Sequence, residues 1–138
     1  QQTELLAAYL RDQVFKGMTI PREYADALRE FDAKKAAIAP LVESTVDAEW
    51  QAAAKQLSEL AINQLTRPSP VEALHDVPTN LLVNNERPLS GAYTWTNRRS
   101  SDGWLVDVGR ADTGGARVDA GRPGSVHSDL GVSFSRSR

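Results

Sequence analysis

The chain contains no cysteine. This excludes disulfide bridges, catalysis by a thiolate and zinc sites built from cysteine. No uninterrupted apolar run approaches the roughly 20 residues that a membrane-spanning helix requires. There is no Gly-x-Ser-x-Gly elbow, and Gly114-Gly115 does not precede a predicted helix as a phosphate-binding loop would. The sequence therefore predicts no cofactor, no metal ion and no membrane segment, and no motif in it identifies a family.

Charge and length give only broad indications of function. The chain has 16 basic and 18 acidic residues, a net charge of −2, so there is no strong nucleic-acid signal. Its 138 residues suffice for one domain or for two small units that share a core. It begins at Gln1 without Met, and loss of the initiator Met, a cleaved leader or an omitted start are the alternatives. The cellular compartment stays open.

The first 66 residues are predicted to be helical, because apolar residues recur there at steps of three and four. Predicted helices cover 3–16, 21–39 and 46–65, with a further helical turn as an option at 41–45. Gly17 is expected to end the first helix, and Pro40 to end or kink the second. Trp50 opens a heptad-like seam in the third helix and is expected to anchor the core.

The residues from 91 onward are predicted to form an antiparallel β-meander, because aromatic or β-branched residues alternate with polar ones. Predicted strands cover 91–97, 103–109 and 116–120, with a last strand at 130–135. A connector at 67–90 contains Pro68 and Pro70, which interrupt helices, and a short strand is expected at 80–84. The predicted fold class is α+β. It has an N-terminal three-helix bundle or helical hairpin (1–66), the connector, and a small antiparallel sheet (91–138).

The segment from Gly109 to Arg138 is rich in Gly, Ser, Asp and Arg and poor in bulky apolar side chains. A segment of this composition is close to disordered when it is alone. We therefore expect it to be held in place by its own sheet or, as the hypothesis favoured here, by another chain.

The histidines and aspartates could in principle carry chemistry. His127 is followed by Ser128 and Asp129, so a pocket near His127 and Asp129 is a candidate site for a small enzyme or ligand-binding domain. His75 is expected to lie in a surface loop. The remaining aspartates of the β region are expected in turns or at outward-facing strand positions; they are Asp102, Asp107, Asp112 and Asp119.

Arginines and aromatic residues of the β region suggest a surface that binds a partner. Arg98 and Arg99 are predicted to lie in the turn between two tryptophans. Local pairing of arginine with aspartate across strands is the alternative explanation. The candidate partner-binding residues are Tyr93, Trp95, Arg98, Arg99, Trp104 and Arg136.

These observations favour a non-catalytic structural or interaction protein that binds protein partners or copies of itself. A larger assembly is the expected setting, and a phage-like particle (a virion) is the specific hypothesis. One alternative is the small enzyme or ligand-binding domain near His127 and Asp129. Another is an adaptor or inhibitor that binds one protein through the Trp95–Trp104 hairpin.

Overall fold

The computed structural model describes residues 2–85, 88–125 and 127–131. These residues form an α+β fold in which the helices precede the sheet, as predicted. The α-helices of this part of the chain are α1 (Gln2–Tyr9), α2 (Arg22–Val42), α3 (Asp47–Glu59), α4 (Ala61–Thr66) and α5 (Pro70–Asn84). The strands are β1 (Tyr93–Arg99), β2 (Leu105–Asp112), β3 (Gly115–Gly121) and β4 (Leu130–Gly131). None of the described helices is long and apolar enough to cross a membrane.

The first four helices share an apolar core. Leu10 of the first helical region, Phe31 of α2 and Ile62 of α4 belong to one buried cluster. The first helix continues from α1 into a π-helical segment, Leu10–Val14, and Gly17 follows it with a positive φ of 71°. Because glycine adopts this conformation without a Cβ penalty, Gly17 lies where the predicted helix stop was expected.

The predicted third helix is broken into α3 and α4 at Leu60. Leu60 has an extended ψ of 130° but remains buried in the helical core. Side-chain amides satisfy carbonyl groups that the break leaves near the end of α3: Asn63 Nδ2 donates to Leu57 O at 2.6 Å and Gln64 Nε2 to Ser58 O at 2.5 Å. The prediction of a continuous helix over 46–65 was therefore wrong, and side-chain hydrogen bonds stabilise the break at Leu60.

The short strand predicted at 80–84 was also wrong, because α5 runs through these residues. Ser69 caps the helix: its Oγ accepts from Glu72 N at 3.2 Å, while its own N donates to Glu72 Oε2 at 2.7 Å. This reciprocal pair is a capping box, and Pro70 occupies the first turn, where a missing N–H costs nothing. Pro70 thus begins a helix within the predicted connector.

The sheet has the order β3-β2-β1-β4. The β1–β2 and β2–β3 pairs are antiparallel, as the meander predicted. In contrast, β4 pairs in parallel with β1, matching Leu130 to Tyr93, so the sheet is mixed and the purely antiparallel prediction was wrong. Residues 132–135 of the predicted last strand lie outside the described residues.

Helices of the same chain cover the middle of the sheet. Trp95 of β1 and Leu105 of β2 pack with Ala54 of α3, whereas α5 contacts β1, β2 and β3. Successive side chains of a strand point to opposite faces, so Thr94 and Val108, which pair across β1 and β2, lie on the face opposite Trp95. Both are almost fully buried. The order of β1 and β2 therefore has a source within the chain, whereas the segment from Gly109 onward, for which an external clamp was expected, contributes mainly β3 and β4, and β3 is exposed at four of its seven positions.

Gly109 provides a test of this packing. A Cβ at this position would lie 2.2 Å from Ala92 O and 2.5 Å from Tyr93 Cα. Both are backbone atoms of the neighbouring segment and cannot rotate away. We expect Gly109→Ala to destabilise the fold by about 1–3 kcal/mol, the usual cost of overpacking, in urea unfolding followed by circular dichroism.

Gly91→Ala is the matched control, because a Cβ at Gly91 has no atom within 4 Å. It should change the free energy of unfolding by less than about 0.5 kcal/mol. Equal stability of the two variants would contradict the described β1–β2 approach.

Candidate functional site

The two tryptophans of the predicted partner-binding hairpin are engaged within the chain. Trp95 is only 3% exposed and belongs to the cluster beneath α3. Trp104 packs on Trp50 with ring centroids 4.8 Å apart, and Arg122 lies over both rings at 5.1 and 5.8 Å. These rings attach the sheet to α3, and the burial of Trp95 leaves it unable to meet a partner at the surface.

The other predicted partner-binding residues are spread over different environments. Arg98 and Arg99 are exposed and lie at the end of β1, just before the turn in which they were expected. Tyr93 is half-buried, with the Arg110 guanidinium 5.9 Å from its ring centre. Arg136 lies outside the described residues. The structure therefore places Trp95 in the core and Arg98 and Arg99 at the surface.

A polar cleft on the sheet brings several of the predicted residues together. It measures about 410 Å³, and Arg110 and Asp129 form an ion pair of 3.7 Å at it. The pair joins β2 to the turn before β4, which are not neighbours in the sheet, so it differs from the arginine–aspartate pairing across strands that the sequence suggested. The polar side chains of the cleft wall include Tyr93, Asp107, Arg110, Arg117, Asp119 and His127.

Asp107 is the most perturbed group of this cleft. It is buried and stands between Trp95 and Asp119 in the strand register. Burial raises the pKa of the Asp107 carboxyl to about 6, and the charge of Asp119 adds to this shift while His127 opposes it. The carboxyl can therefore exchange a proton near neutral pH, the behaviour expected of functional carboxylates.

The sequence prediction for Asp107 was wrong, since an outward-facing position was expected. Strand alternation contains the missed signal: Asp107 is two residues from Leu105 and so shares its face, which packs toward α3. By contrast, Asp112 Oδ1 accepts from Gly114 N at 2.7 Å, which is the turn-forming role that was predicted.

The two histidines do not form a catalytic arrangement in the described part of the chain. His127 and Asp129 line the cleft, but no hydrogen bond among the described residues joins the side chains of His127, Ser128 and Asp129. A Ser–His–Asp triad depends on such bonds. His75 lies on exposed α5, where Thr79 Oγ1 is 3.4 Å from its Nδ1. The described residues also contain no cluster of His, Cys, Asp and Glu that could hold a metal ion.

A second candidate surface is the outer face of α5. Four apolar residues follow one another here at steps of three, four and four; we call Val71, Leu74, Pro78 and Leu82 the α5 stripe. Val71 is 75% exposed and Leu82 is 86% exposed. Isolated exposed apolar residues are common, but a continuous apolar row marks an interaction surface. The sequence did not reveal this row, because its residues lay in the predicted connector and Leu82 lay in the strand expected at 80–84.

Comparison with protein families, with curated proteins and with solved structures finds no match to this chain.

The raised pKa of Asp107 predicts a pH-dependent stability. Its carboxyl binds a proton more tightly when folded than when unfolded, where its pKa is about 3.9. The protonated form therefore stabilises the fold below about pH 4, and this contribution is lost as pH rises through about 6. Asp107→Asn, which mimics the neutral acid, should gain stability relative to the native chain across this range.

Urea unfolding of both proteins from pH 4 to pH 8 measures this difference. Asp102→Asn, at an exposed turn position, is the control and should run parallel to the native chain. A parallel curve for Asp107→Asn as well would contradict the described environment of Asp107.

Proposed function

We propose that this protein is a non-catalytic interaction protein that associates with copies of itself through the α5 stripe. The single observation that carries the proposal is a row of apolar side chains, exposed at Val71, Pro78 and Leu82 and half-buried at Leu74, on a helix that already packs on the sheet. In the isolated chain, the second apolar face of this helix therefore stays exposed to solvent.

Burial energy favours covering the α5 stripe. Val71 and Leu82 are largely exposed, and burying a side chain of this kind stabilises by roughly 1.5–3 kcal/mol. Both lie on the same side of α5, eleven residues or about three helical turns apart. A partner that covers the whole stripe would therefore gain the burial energy of both Val71 and Leu82.

The arrangement of the α5 stripe favours a second copy as that partner. Antiparallel packing of two α5 helices about a two-fold axis near their middle would place Val71 against Leu82 of the second copy. The same axis would bring Leu74 near Pro78 of the second copy, with an offset of one residue or about 1.5 Å along the helix. Two-fold interfaces require such self-complementary surfaces. The charged residues of α5, Glu72 and Asp76, are outside the stripe.

The edge strand β3, which lies next to α5, is a second reason to propose an interface on this side of the molecule. Strand β3 lies at one edge of the sheet and contacts α5. Val118 of β3 pairs with Val108, so it points to the face that α5 covers, yet it is 54% exposed. Exposed strand edges commonly form contacts between chains, and here the edge adjoins the apolar helix.

The other sequence-based hypotheses stay predictions. The phage-like particle is one setting for a self-associating protein. The enzyme hypothesis near His127 and Asp129 has a cleft in its favour but lacks the hydrogen bonds of a triad among the described residues. In the adaptor hypothesis, Trp95 cannot contact a partner at the surface, because its ring is buried.

Oligomeric state tests the proposal. Size-exclusion chromatography with light scattering over a concentration series should find the native chain associated at high concentration. Leu82→Asp should raise the dissociation constant at least about 100-fold, because it removes an apolar contact and buries a charge.

Leu5→Asp is the matched control, because Leu5 is 69% exposed but lies on α1. It should leave the association unchanged. A native chain that stays monomeric at all concentrations, or a Leu82→Asp variant that associates as well as Leu5→Asp, would contradict the proposal.

A further inference from the structure

A cavity of about 180 Å³ lies between the helical core and the sheet. Its apolar wall comes from both layers and includes Phe31, Ile38, Leu57, Trp95 and Leu105. A dry apolar cavity of about 150 Å³ can hold a benzene molecule. The space is therefore large enough for a small organic molecule, but this one also has a polar wall.

Arg67 is the central group of the polar wall. It is only 6% exposed, and its Nη2 donates to Thr3 Oγ1 at 3.1 Å. Its Nε is buried without a hydrogen-bond partner, and no carboxylate of the described residues forms an ion pair with it. Burial lowers the pKa of Arg67 to about 10, which still leaves the side chain protonated at neutral pH.

A buried, unpaired cation is costly, and buried charges are normally paired with a counter-charge. Arg67 therefore lacks the anion that its position calls for. The other charged residues of the cavity wall are Glu4, Lys35 and Glu43, and all three are exposed residues, unlike Arg67. Arg67 is therefore the group of the cavity wall that is expected to bind an anion.

Two buried acceptors accompany this donor. Asn63 Oδ1 and Gln2 Oε1 have no hydrogen-bond partner, and both residues line the cavity. Asn63 Nδ2 donates to Leu57 O at 2.6 Å, so exchanging its amide nitrogen and oxygen would set two oxygens against each other. The orientation of Asn63 is therefore fixed, and its oxygen is available to a donor in the cavity.

The backbone around Arg67 is held by both layers. Arg67 N donates to Asn63 O at 3.0 Å at the end of α4. On the sheet side, Asn97 N donates to Pro68 O at 3.1 Å, and Asn97 Nδ2 lies 3.4 Å from Arg67 O. The guanidinium is thus preorganised, which lowers the entropic cost of binding.

We propose that this cavity binds a small organic monocarboxylate with an apolar body of about the size of one ring. The carboxylate accepts hydrogen bonds from Arg67, whose planar fork matches it. The apolar body lies against Trp95 and Leu105, and a hydroxyl or amine on it donates to Asn63 Oδ1. Inorganic phosphate would leave the apolar wall without a contact. This proposal is independent of the α5 stripe.

Calorimetric titration of the full chain with three probes tests the ligand class. Benzoate should bind at least tenfold more tightly than benzamide, which has the same shape without the charge, and more tightly than inorganic phosphate. Equal affinity for benzoate and benzamide would overturn the role of Arg67. Preference for phosphate would overturn the carboxylate assignment, and binding of none of the three would overturn the proposal.

Two variants and one resonance test the residue. Arg67→Met should abolish benzoate binding, whereas Arg67→Lys should retain a weak affinity because it keeps the charge and loses the fork. Arg98→Met, at an exposed position, is the matched control and should bind as the native chain does. Unchanged binding by Arg67→Met would overturn the proposal.

The Nε–H resonance of Arg67 in the native chain tests the site even if Arg67→Met does not fold. Benzoate should shift this resonance, and an unmoved resonance would contradict the site.

Discussion

Strand β2 is buried on both of its faces, and this burial determines where the helices around it must lie. Five consecutive residues, Leu105–Gly109, are buried, so elements on both faces must cover the strand. Helix α3 packs against the Leu105 face, and α5 contacts the sheet as well. Strands buried on both faces are usually apolar throughout. Here Asp107 interrupts the run, and its proton affinity rises because it is held within this layer.

The burial of β2 also accounts for the position of the Arg67 cavity. The chain must pass from the helical core to the far face of the sheet between α4 and α5. Arg67 and Pro68 make this passage, and hydrogen bonds from Asn97 attach them to β1. The two layers do not close completely at this junction, and the cavity with its unpaired guanidinium lies there. Helix α5 then covers the sheet with one face and presents the α5 stripe with the other.

Local patterns in the sequence predicted much of the fold. Helical spacing located α2 and the start of α3, strand alternation located β1 to β3, and Gly17 marked a helix end. Three features were not predicted from the sequence, because tertiary contacts determine them. Leu60 leaves helical geometry while side-chain amides satisfy the freed carbonyls. Ser69 and Glu72 begin a helix where two prolines suggested an extended connector. Finally, β4 joins the sheet in parallel, which no short-range pattern specifies.

The candidate site was predictable only in outline. Composition placed Arg, Asp and aromatic residues in the β region, but their spacing could not separate the buried Trp95 from the exposed Arg98. The cavity around Arg67 could not be predicted, because its wall combines residues far apart in the sequence, such as Thr3, Leu57 and Trp95. The α5 stripe follows from helical spacing once α5 is recognised as a helix.

Amide hydrogen exchange of the dilute chain, followed by NMR, tests most directly whether the chain's own helices hold the sheet. We expect the amides of Val106 and Val108 to exchange as slowly as those of α3, through global unfolding alone. Rapid exchange along β2 while α2 and α3 stay protected would contradict it, because the sheet would then depend on a covering that the single chain does not provide.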